Sequence, residues 1–205
     1  MPRLIESCCP SLEAVRRAAE AGTDRIELCE DLSCGGVTPS EELIRAALSV
    51  AGKIPVNILV RPRAGDFVYS RAEVDQMLDS IRLCKRLGVN GVVLGALTPE
   101  GKVDTDTMRC LLRQARPLSV TFHRAFDQCQ DPAAALEDII GLGIERLLTS
   151  GHCVNAYEGR FALKRLVEQA AGRIIIMPGC GITPSNLEEI ASVTGAAEFH
   201  GSRLY

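Results

Sequence analysis

The sequence has no long hydrophobic run, no block of like charge and little net charge. Its 205 residues carry 23 Lys and Arg against 26 Asp and Glu, a formal net charge of −3. Without a basic patch to neutralise a phosphate backbone, we expect no nucleic-acid partner. The longest apolar stretches, such as residues 174–178, fall far short of the about 20 residues that span a bilayer, so no membrane partner is expected. The first residues do not resemble a signal peptide, which predicts a cytoplasmic protein.

Several cofactor motifs are also missing. The nine cysteines include no CxxC motif, so a structural zinc site of four cysteines is not expected, and reduced, mostly buried thiols are. No GxGxxG follows the first strand-like run, so no nucleotide cofactor is predicted and a Rossmann fold is disfavoured. His152 and His200 complete no HxxxH or similar metal spacing.

What the sequence does have is a regular alternation of short apolar runs and helical segments. The composition, 46% hydrophobic and 24% charged, is that of one globular domain over residues 1–205. Helix starts are marked by caps, such as Ser70-Arg-Ala-Glu and Asp131-Pro. The strand-like runs are residues 4–8, 25–29, 56–61, 91–95, 119–124, 146–150, 174–177 and 197–200.

Eight such strands separated by helices predict an α/β protein with a parallel sheet, and the number eight favours a (β/α)₈ TIM-type barrel. The sequence ends directly after the eighth run, so we expect the final helix to be lacking. The apolar outer residues Ile5 and Phe199 are then expected to be uncovered unless a partner subunit covers them.

Alternation along each strand gives the barrel an unusually polar interior. The inward set includes Glu6, Cys8, Arg25, Glu27, Cys29, Asn57, Arg61, Thr121, His123, Glu198 and His200. One interpretation is an internal network of paired charges. The other is a polar pocket at the carboxyl ends of the strands, in which Arg25 and Glu198 are structural and the candidate catalytic residues are Glu6, Glu27, Arg61 and His123.

The loops at the same ends of the strands suggest an anion site. The loop after the third strand holds Arg61 and Arg63, and glycine-rich turns follow the seventh and eighth strands. Barrels commonly bind phosphate at such turns, beside a helix amino terminus. The candidate anion-binding residues are therefore Arg63, Gly179, Gly181, Gly201 and Ser202, with tight turns as the alternative explanation for the glycines.

These motifs together resemble one known family. The segments that carry the resemblance are Arg25-Ile-Glu-Leu-Cys29, Gly35-Gly-Val-Thr-Pro-Ser40, Arg61-Pro-Arg-Ala-Gly-Asp-Phe-Val-Tyr-Ser70, Val120-Thr-Phe-His-Arg-Ala-Phe-Asp127, Leu148-Thr-Ser-Gly151, Ile176-Met-Pro-Gly179 and Glu198-Phe-His200. The sequence resembles the CutC copper homeostasis protein family over its whole length. The resemblance implies a barrel fold and a Cu(I)-binding homo-oligomer that is cytoplasmic and, in animals, partly nuclear.

The resemblance also places the metal ligands. Two cysteines linked to copper in animal members correspond to Cys8 and Cys29, and the strand alternation independently turns both inward. Neighbouring strands lie about 4.8 Å apart, which suits two thiolates on one soft ion such as Cu(I). Three open alternatives remain: a pair of buried thiols without metal, a TIM-barrel enzyme acting on a small anionic or phosphorylated metabolite, and a scaffold or partner-binding protein.

Two positions depart from the family pattern. Ala64 stands where a glycine is usual, and we expect strain there if that position needs a positive φ. Cys180 stands between Gly179 and Gly181, where a third glycine is common, and could add another thiol near the barrel mouth.

Overall fold

The computed structural model describes residues 3–202 and 204. Strands and helices alternate along the chain, as the sequence predicts. The strands are β1 (Leu4–Cys9), β2 (Arg25–Leu28), β3 (Val56–Leu59), β4 (Gly91–Leu94), β5 (Ser119–Phe122), β6 (Arg146–Thr149), β7 (Ile175–Pro178) and β8 (Glu198–Gly201). The helices are α1 (Leu12–Glu20), α2 (Glu41–Ala51), α3 (Arg71–Leu87), α4 (Thr105–Ala115), α5 (Pro132–Gly141), α6 (Arg160–Ala170) and α7 (Pro184–Thr194).

The eight strands form one parallel sheet that curls into a nearly closed barrel. The order is β7-β6-β5-β4-β3-β2-β1-β8, and β7 and β8 contact each other across the remaining gap. In the pairing of β1 with β2, Glu6 lies beside Arg25 and Cys8 beside Glu27. The predicted TIM-type barrel is confirmed, and residues 3–202 and 204 contain no eighth helix after β8.

Local sequence signals explain where the helices begin. The Ser70 hydroxyl accepts a hydrogen bond from the backbone N–H of Glu73, whose carboxylate accepts one from the backbone N–H of Ser70. Asp131 accepts from two N–H groups of the first turn of α5, whose first residue is Pro132. Both caps were predicted from the sequence, because they satisfy amides that the helix itself leaves unpaired.

Most apolar side chains pack between the barrel and its helices. This outer core contains the outward residues of the strands, such as Ile26, Ile58 and Phe122. A much smaller apolar cluster, Cys8, Cys29, Leu59 and Val93, lies inside the barrel. The separation follows from strand alternation, and it leaves the rest of the interior to polar side chains.

The prediction that Phe199 is uncovered is wrong, and Ile5 is only half-buried rather than exposed. Phe199 is fully buried in the outer core, which also contains Ile190 and Ala191 of α7. Leu204, beyond β8, packs against the same core. The neighbouring elements therefore cover the outer face of β8.

No helix among the described residues is long and apolar enough to cross a membrane.

Candidate functional site

A cavity of about 890 Å³ opens at the carboxyl ends of the barrel strands. Its wall combines strand ends with the loops that follow them. Among the residues that line it are Cys8, Glu27, Leu59, Arg61, Phe67, His123, Arg124, Asp127, Leu148, His152, Cys153, Cys180, Gly181, His200, Gly201 and Ser202. This is the end of the barrel at which enzymes of this architecture bind their ligands.

A network of ion pairs fills the interior below this cavity. Arg25 donates to both Glu6 and Glu198, and its Nη2 lies 2.6 Å from Glu198 Oε2. Arg146 joins from β6, with its Nε 2.5 Å from the same Glu198 oxygen. Paired buried charges are what the first interpretation of the polar interior requires. Arg25 and Glu198 are therefore paired with buried opposite charges, as their predicted structural role requires. Glu6, a candidate catalytic residue, belongs to the same network.

Glu6 links the network to the cavity through His200. Its Oε1 lies 2.8 Å from His200 Nδ1, while its other oxygen accepts from Arg25 and Asn57. Burial would raise the pKa of Glu6, but hydrogen bonds and charges from His200 and Arg25 outweigh it and lower the pKa to about 2. Burial would lower the pKa of His200, and the negative potential of Glu27 and Glu6 raises it instead.

Two thiols and a carboxylate meet inside the barrel, where Cys8 and Glu27 line the cavity and Cys29 lies buried behind them. Cys8 Sγ lies 3.9 Å from Cys29 Sγ and 3.9 Å from Glu27 Oε1. Glu27 Oε2 is buried and has no hydrogen-bond partner among the described residues. Burial raises the pKa of Glu27 to about 7. The hydrogen bond to Cys29 and burial raise the pKa of the Cys8 thiol well above its usual value.

His200 completes a three-residue cluster with Cys8 and Glu27. One potential ligand atom of each residue lies within 4.8 Å of the others, and all three residues are buried. Strand alternation predicts that His200 points inward, but no motif spacing along the chain marks it as a metal ligand. The signal that could have found it is positional, since β8 is the other neighbour of β1 in a closed barrel.

Arg61, which follows β3 in the cavity wall, is held by backbone carbonyls. Its Nη1 donates to Cys34 O at 3.1 Å and Gly36 O at 2.8 Å, and its Nη2 to Gly65 O at 2.8 Å. The guanidinium stacks over the Phe67 ring, with its carbon 4.8 Å from the ring centroid. No carboxylate of the described residues forms an ion pair with this buried arginine, and its Nε has no partner there.

His123 lies beside this arginine and is neutral. Its Nδ1 accepts a hydrogen bond from the backbone N–H of Ala125, so the proton is on Nε2, a buried donor without a partner in the described structure. Burial and the nearby Arg61 charge lower the pKa of His123 to about 3. The Phe67 ring packs against the imidazole, with a centroid distance of 4.8 Å.

The predicted anion-binding residues are only partly brought together. Gly181, Gly201 and Ser202 line the cavity. Arg63 does not line it, because its guanidinium binds Glu73 and Asp66 and so braces its own loop. Gly179 does not line it either, and a Cβ there would lie 2.4 Å from Leu148 Cδ1. Close packing therefore explains that glycine.

The two departures from the family pattern, Ala64 and Cys180, differ in backbone conformation. Ala64 does not have a positive φ, so the alanine is accommodated without strain. Cys180 has a φ of 77°, in the left-handed region that favours glycine, and it lines the cavity. Its Sγ lies 3.3 Å from Val154 O and does not join Cys8 and Cys29 in a hydrogen bond.

Asp127 is a further residue of the wall and is not among the site residues predicted from the sequence. Its carboxylate accepts hydrogen bonds from Thr149, from the backbone N–H groups of Ser150 and His152, and from Arg124. These bonds fix the loop after β6 against the short helical turn after β5. His152 adopts a positive φ of 58° there, a strained conformation that places it on the cavity wall.

Comparisons with known proteins agree with this architecture. The CutC family pattern matches residues 3–204. The chain is 50% identical over 202 residues to a family protein CutC of Parabacteroides distasonis, covering 98% of this chain and 83% of that one. It is 50% identical over 199 residues to the human copper homeostasis protein cutC homolog, covering 97% and 72%.

A solved structure is similar over its full length. CutC from Streptococcus agalactiae superposes with a TM-score of 0.94 at 34% identity, covering 99% of this chain and all of that one. The match to the family pattern spans nearly every residue of the barrel. It includes the thiol pair, Cys8 and Cys29, and the other two residues of the three-residue cluster, Glu27 and His200. The chain therefore belongs to the CutC family.

Proposed function

We propose that this protein binds Cu(I) through the thiolates of Cys8 and Cys29 and acts in copper homeostasis. The observation that carries the proposal is the 3.9 Å distance between the two sulfur atoms inside the barrel. Thiolate–metal bonds are about 2.3 Å long for zinc, so one ion fits between sulfurs at this separation. A pair of soft thiolates selects Cu(I) among biological metals. The curated human relative, which is named a copper homeostasis protein, supports the same function.

The surroundings of the thiol pair fit a bound soft ion. Cys29 is fully buried and Cys8 nearly so, which protects a Cu(I) site from water and oxidants. The Cys8 thiol has a raised pKa, so metal binding must displace its proton, and affinity is expected to rise with pH. Cys9, in contrast, packs in the outer apolar core and is unavailable to the same ion.

Anaerobic titration tests this proposal. Reduced protein is titrated with Cu(I) against a chromophoric competitor, and Cys8→Ser and Cys29→Ser are each expected to lose the tightest equivalent. Cys9→Ala is the matched control, because it removes a buried neighbouring thiol on the other face of β1. Unchanged stoichiometry and affinity in the Cys8→Ser, Cys29→Ser double variant would overturn the proposal.

A second candidate function is catalysis on a small anionic or phosphorylated molecule. The observation that favours it is Arg61, a buried cation in the cavity wall without a carboxylate partner in the described part of the chain. A buried charge without a counter-charge is unfavourable, and a bound anion would supply one. The neutral His123 offers a neighbouring N–H donor, and Gly181, Gly201 and Ser202 lie on the same wall.

Calorimetric titration with inorganic phosphate, sulfate and pyruvate tests this second function. Arg61→Lys is expected to weaken binding of the preferred anion about tenfold, because lysine cannot reproduce the planar set of donors. Arg63→Lys is the matched control, since Arg63 lies outside the cavity and binds its own loop. Equal anion affinity in Arg61→Lys and wild-type protein would remove the basis for a substrate site here.

The family resemblance also supports a cytoplasmic location, shared with the nucleus in animals, and assembly into homo-oligomers. Light scattering coupled to size-exclusion chromatography measures the subunit number. A single monomeric species over a wide concentration range would contradict the proposed assembly.

A further inference from the structure

We infer that Cys8, Glu27 and His200 form a second kind of metal site, one for a divalent ion of the zinc type. The three residues come from β1, β2 and β8, which are consecutive in the sheet. Their potential ligand atoms lie within 4.8 Å of one another, and all three side chains line the cavity. This site goes beyond the proposed Cu(I) function and shares only Cys8 with it.

The orientation of His200 supports metal binding. Its Nδ1 lies 2.8 Å from Glu6 Oε1, which leaves Nε2 as the ring nitrogen available to a ligand. Histidine ligands of zinc almost always have such a carboxylate or carbonyl on the other ring nitrogen, because it fixes the tautomer and the ring orientation. Glu6 is itself held by Arg25 and Asn57, so the orienting carboxylate is rigid.

Glu27 supplies the second argument. Its Oε2 is buried and unpartnered among the described residues, and its Oε1 has only the weak 3.9 Å contact with Cys8 Sγ. Buried carboxylate oxygens are rarely left without a partner, because the lost hydration is not replaced. A cation held between Glu27, Cys8 and His200 would satisfy that oxygen.

The set of ligands selects the class of metal. One sulfur, one carboxylate oxygen and one imidazole nitrogen suit Zn²⁺, whereas Cu(I) is selected by soft sulfur ligands. Three protein ligands are also the usual number in catalytic zinc sites, where a fourth position stays open. Because all three residues line the 890 Å³ cavity, a small molecule in that cavity would have access to such a position.

Cobalt titration of the metal-free, reduced protein tests the inference, because Co²⁺ replaces zinc and reports its ligands by absorption. We expect one equivalent of Co²⁺ to produce thiolate-to-cobalt charge-transfer absorption, and Zn²⁺ to abolish it. Cys8→Ser is expected to remove that absorption. Glu27→Gln and His200→Gln are each expected to weaken Co²⁺ binding by at least about tenfold, and Glu6→Gln by about 10- to 100-fold through the loss of the oriented histidine.

Two variants separate this site from the thiol pair. Cys29→Ser is expected to keep the cobalt absorption while losing Cu(I), and Cys153→Ser, in the same cavity but outside the cluster, is expected to keep both. Equal losses of cobalt in Cys29→Ser and Cys8→Ser would overturn the inference, as would cobalt binding without charge-transfer absorption. If His200→Gln fails to fold by circular dichroism, the isosteric Glu27→Gln makes the same test. If every variant still binds Cu(I) as the wild-type protein does, the copper proposal is refuted and the inference about the divalent-metal site is unaffected.

Discussion

The guanidinium of Arg146 on β6 donates to the carboxylate of Glu198 on β8, with Nε 2.5 Å from Oε2. Arg25 on β2 donates to the same oxygen from another side. Three strands that are not adjacent to one another are thereby joined through the barrel interior. The network lies below the cavity and supports the side chains that form its floor.

Removing the shared carboxylate is expected to destabilise the whole barrel. Glu198→Gln leaves Arg25 and Arg146 with less compensation for their buried charges, and breaking such a pair typically costs about 3–5 kcal/mol. Urea unfolding monitored by circular dichroism measures the change. Glu41→Gln is the control, because Glu41 pairs with Arg45 on the exposed face of α2 and such pairs contribute about 1 kcal/mol or less. Similar losses in both variants would contradict a structural role for Glu198.

Glu27→Gln is expected to stabilise the metal-free protein at alkaline pH. Burial raises the pKa of Glu27 to about 7, above its ordinary value of 4.5, so the folded state holds the proton more tightly than the unfolded state. Wild-type stability therefore falls as the pH rises from 4.5 to 7 and stays reduced above 7. Glutamine mimics the protonated acid and avoids that loss, which amounts to roughly 3 kcal/mol. Urea unfolding at pH 5 and pH 8 should show a larger advantage of the variant at pH 8, and a constant difference would contradict the assignment.

Gly159→Ala is expected to disrupt the loop that carries His152 and Cys153. A Cβ on Gly159 would lie 1.9 Å from the carbonyl oxygen of Ser150, and a backbone atom cannot swing aside as a side chain can. We expect a loss of at least about 3 kcal/mol, in the range of severe overpacking. Gly141→Ala is the control, because a Cβ there meets no atom within 4 Å, and the helix preference of alanine predicts equal or greater stability. Thermal unfolding of both variants measures the contrast.

Cys180→Gly is expected to stabilise the protein by about 1 kcal/mol. The backbone at Cys180 is left-handed, where a Cβ is strained and glycine is not. Ala64→Gly serves as the comparison, since Ala64 lies outside that region and glycine there only adds freedom to the unfolded chain. Differential scanning calorimetry should rank Cys180→Gly above wild type and Ala64→Gly at or below it. The reverse order would show that backbone strain at residue 180 is unimportant.

The sequence predicts which side chains of each single strand point into the barrel, but it does not predict which side chains of different strands meet in the site. Alternation along β1, β2 and β3 turned Glu6, Glu27 and Arg61 inward, and the structure buries all three inside the barrel. Alternation does not say how far a side chain lies from the mouth. Glu6 therefore belongs to the ion-pair network, whereas Glu27 reaches the cavity.

Long, flexible side chains were the least predictable. Arg63 follows Arg61 by two residues in the same loop, yet its guanidinium turns to Glu73 and Asp66. Which partner a half-buried arginine such as Arg63 binds depends on the position of the next helix, α3, whose first turn contains Glu73. The closing of the outer face of β8 depended on tertiary packing in the same way, and Phe199 is buried for that reason.

The sequence by itself determined the number and order of the strands, the caps of the helices and the polar character of the interior, because these depend on periodicity and on local hydrogen bonding. Only the tertiary structure decided which polar residues meet. Cys8, Glu27 and His200 are separated by up to 192 positions and come together because β8 returns to lie beside β1 when the sheet curls into a barrel. No pattern along the chain encodes that closure locally, since it results from the twist and register of all eight strands together.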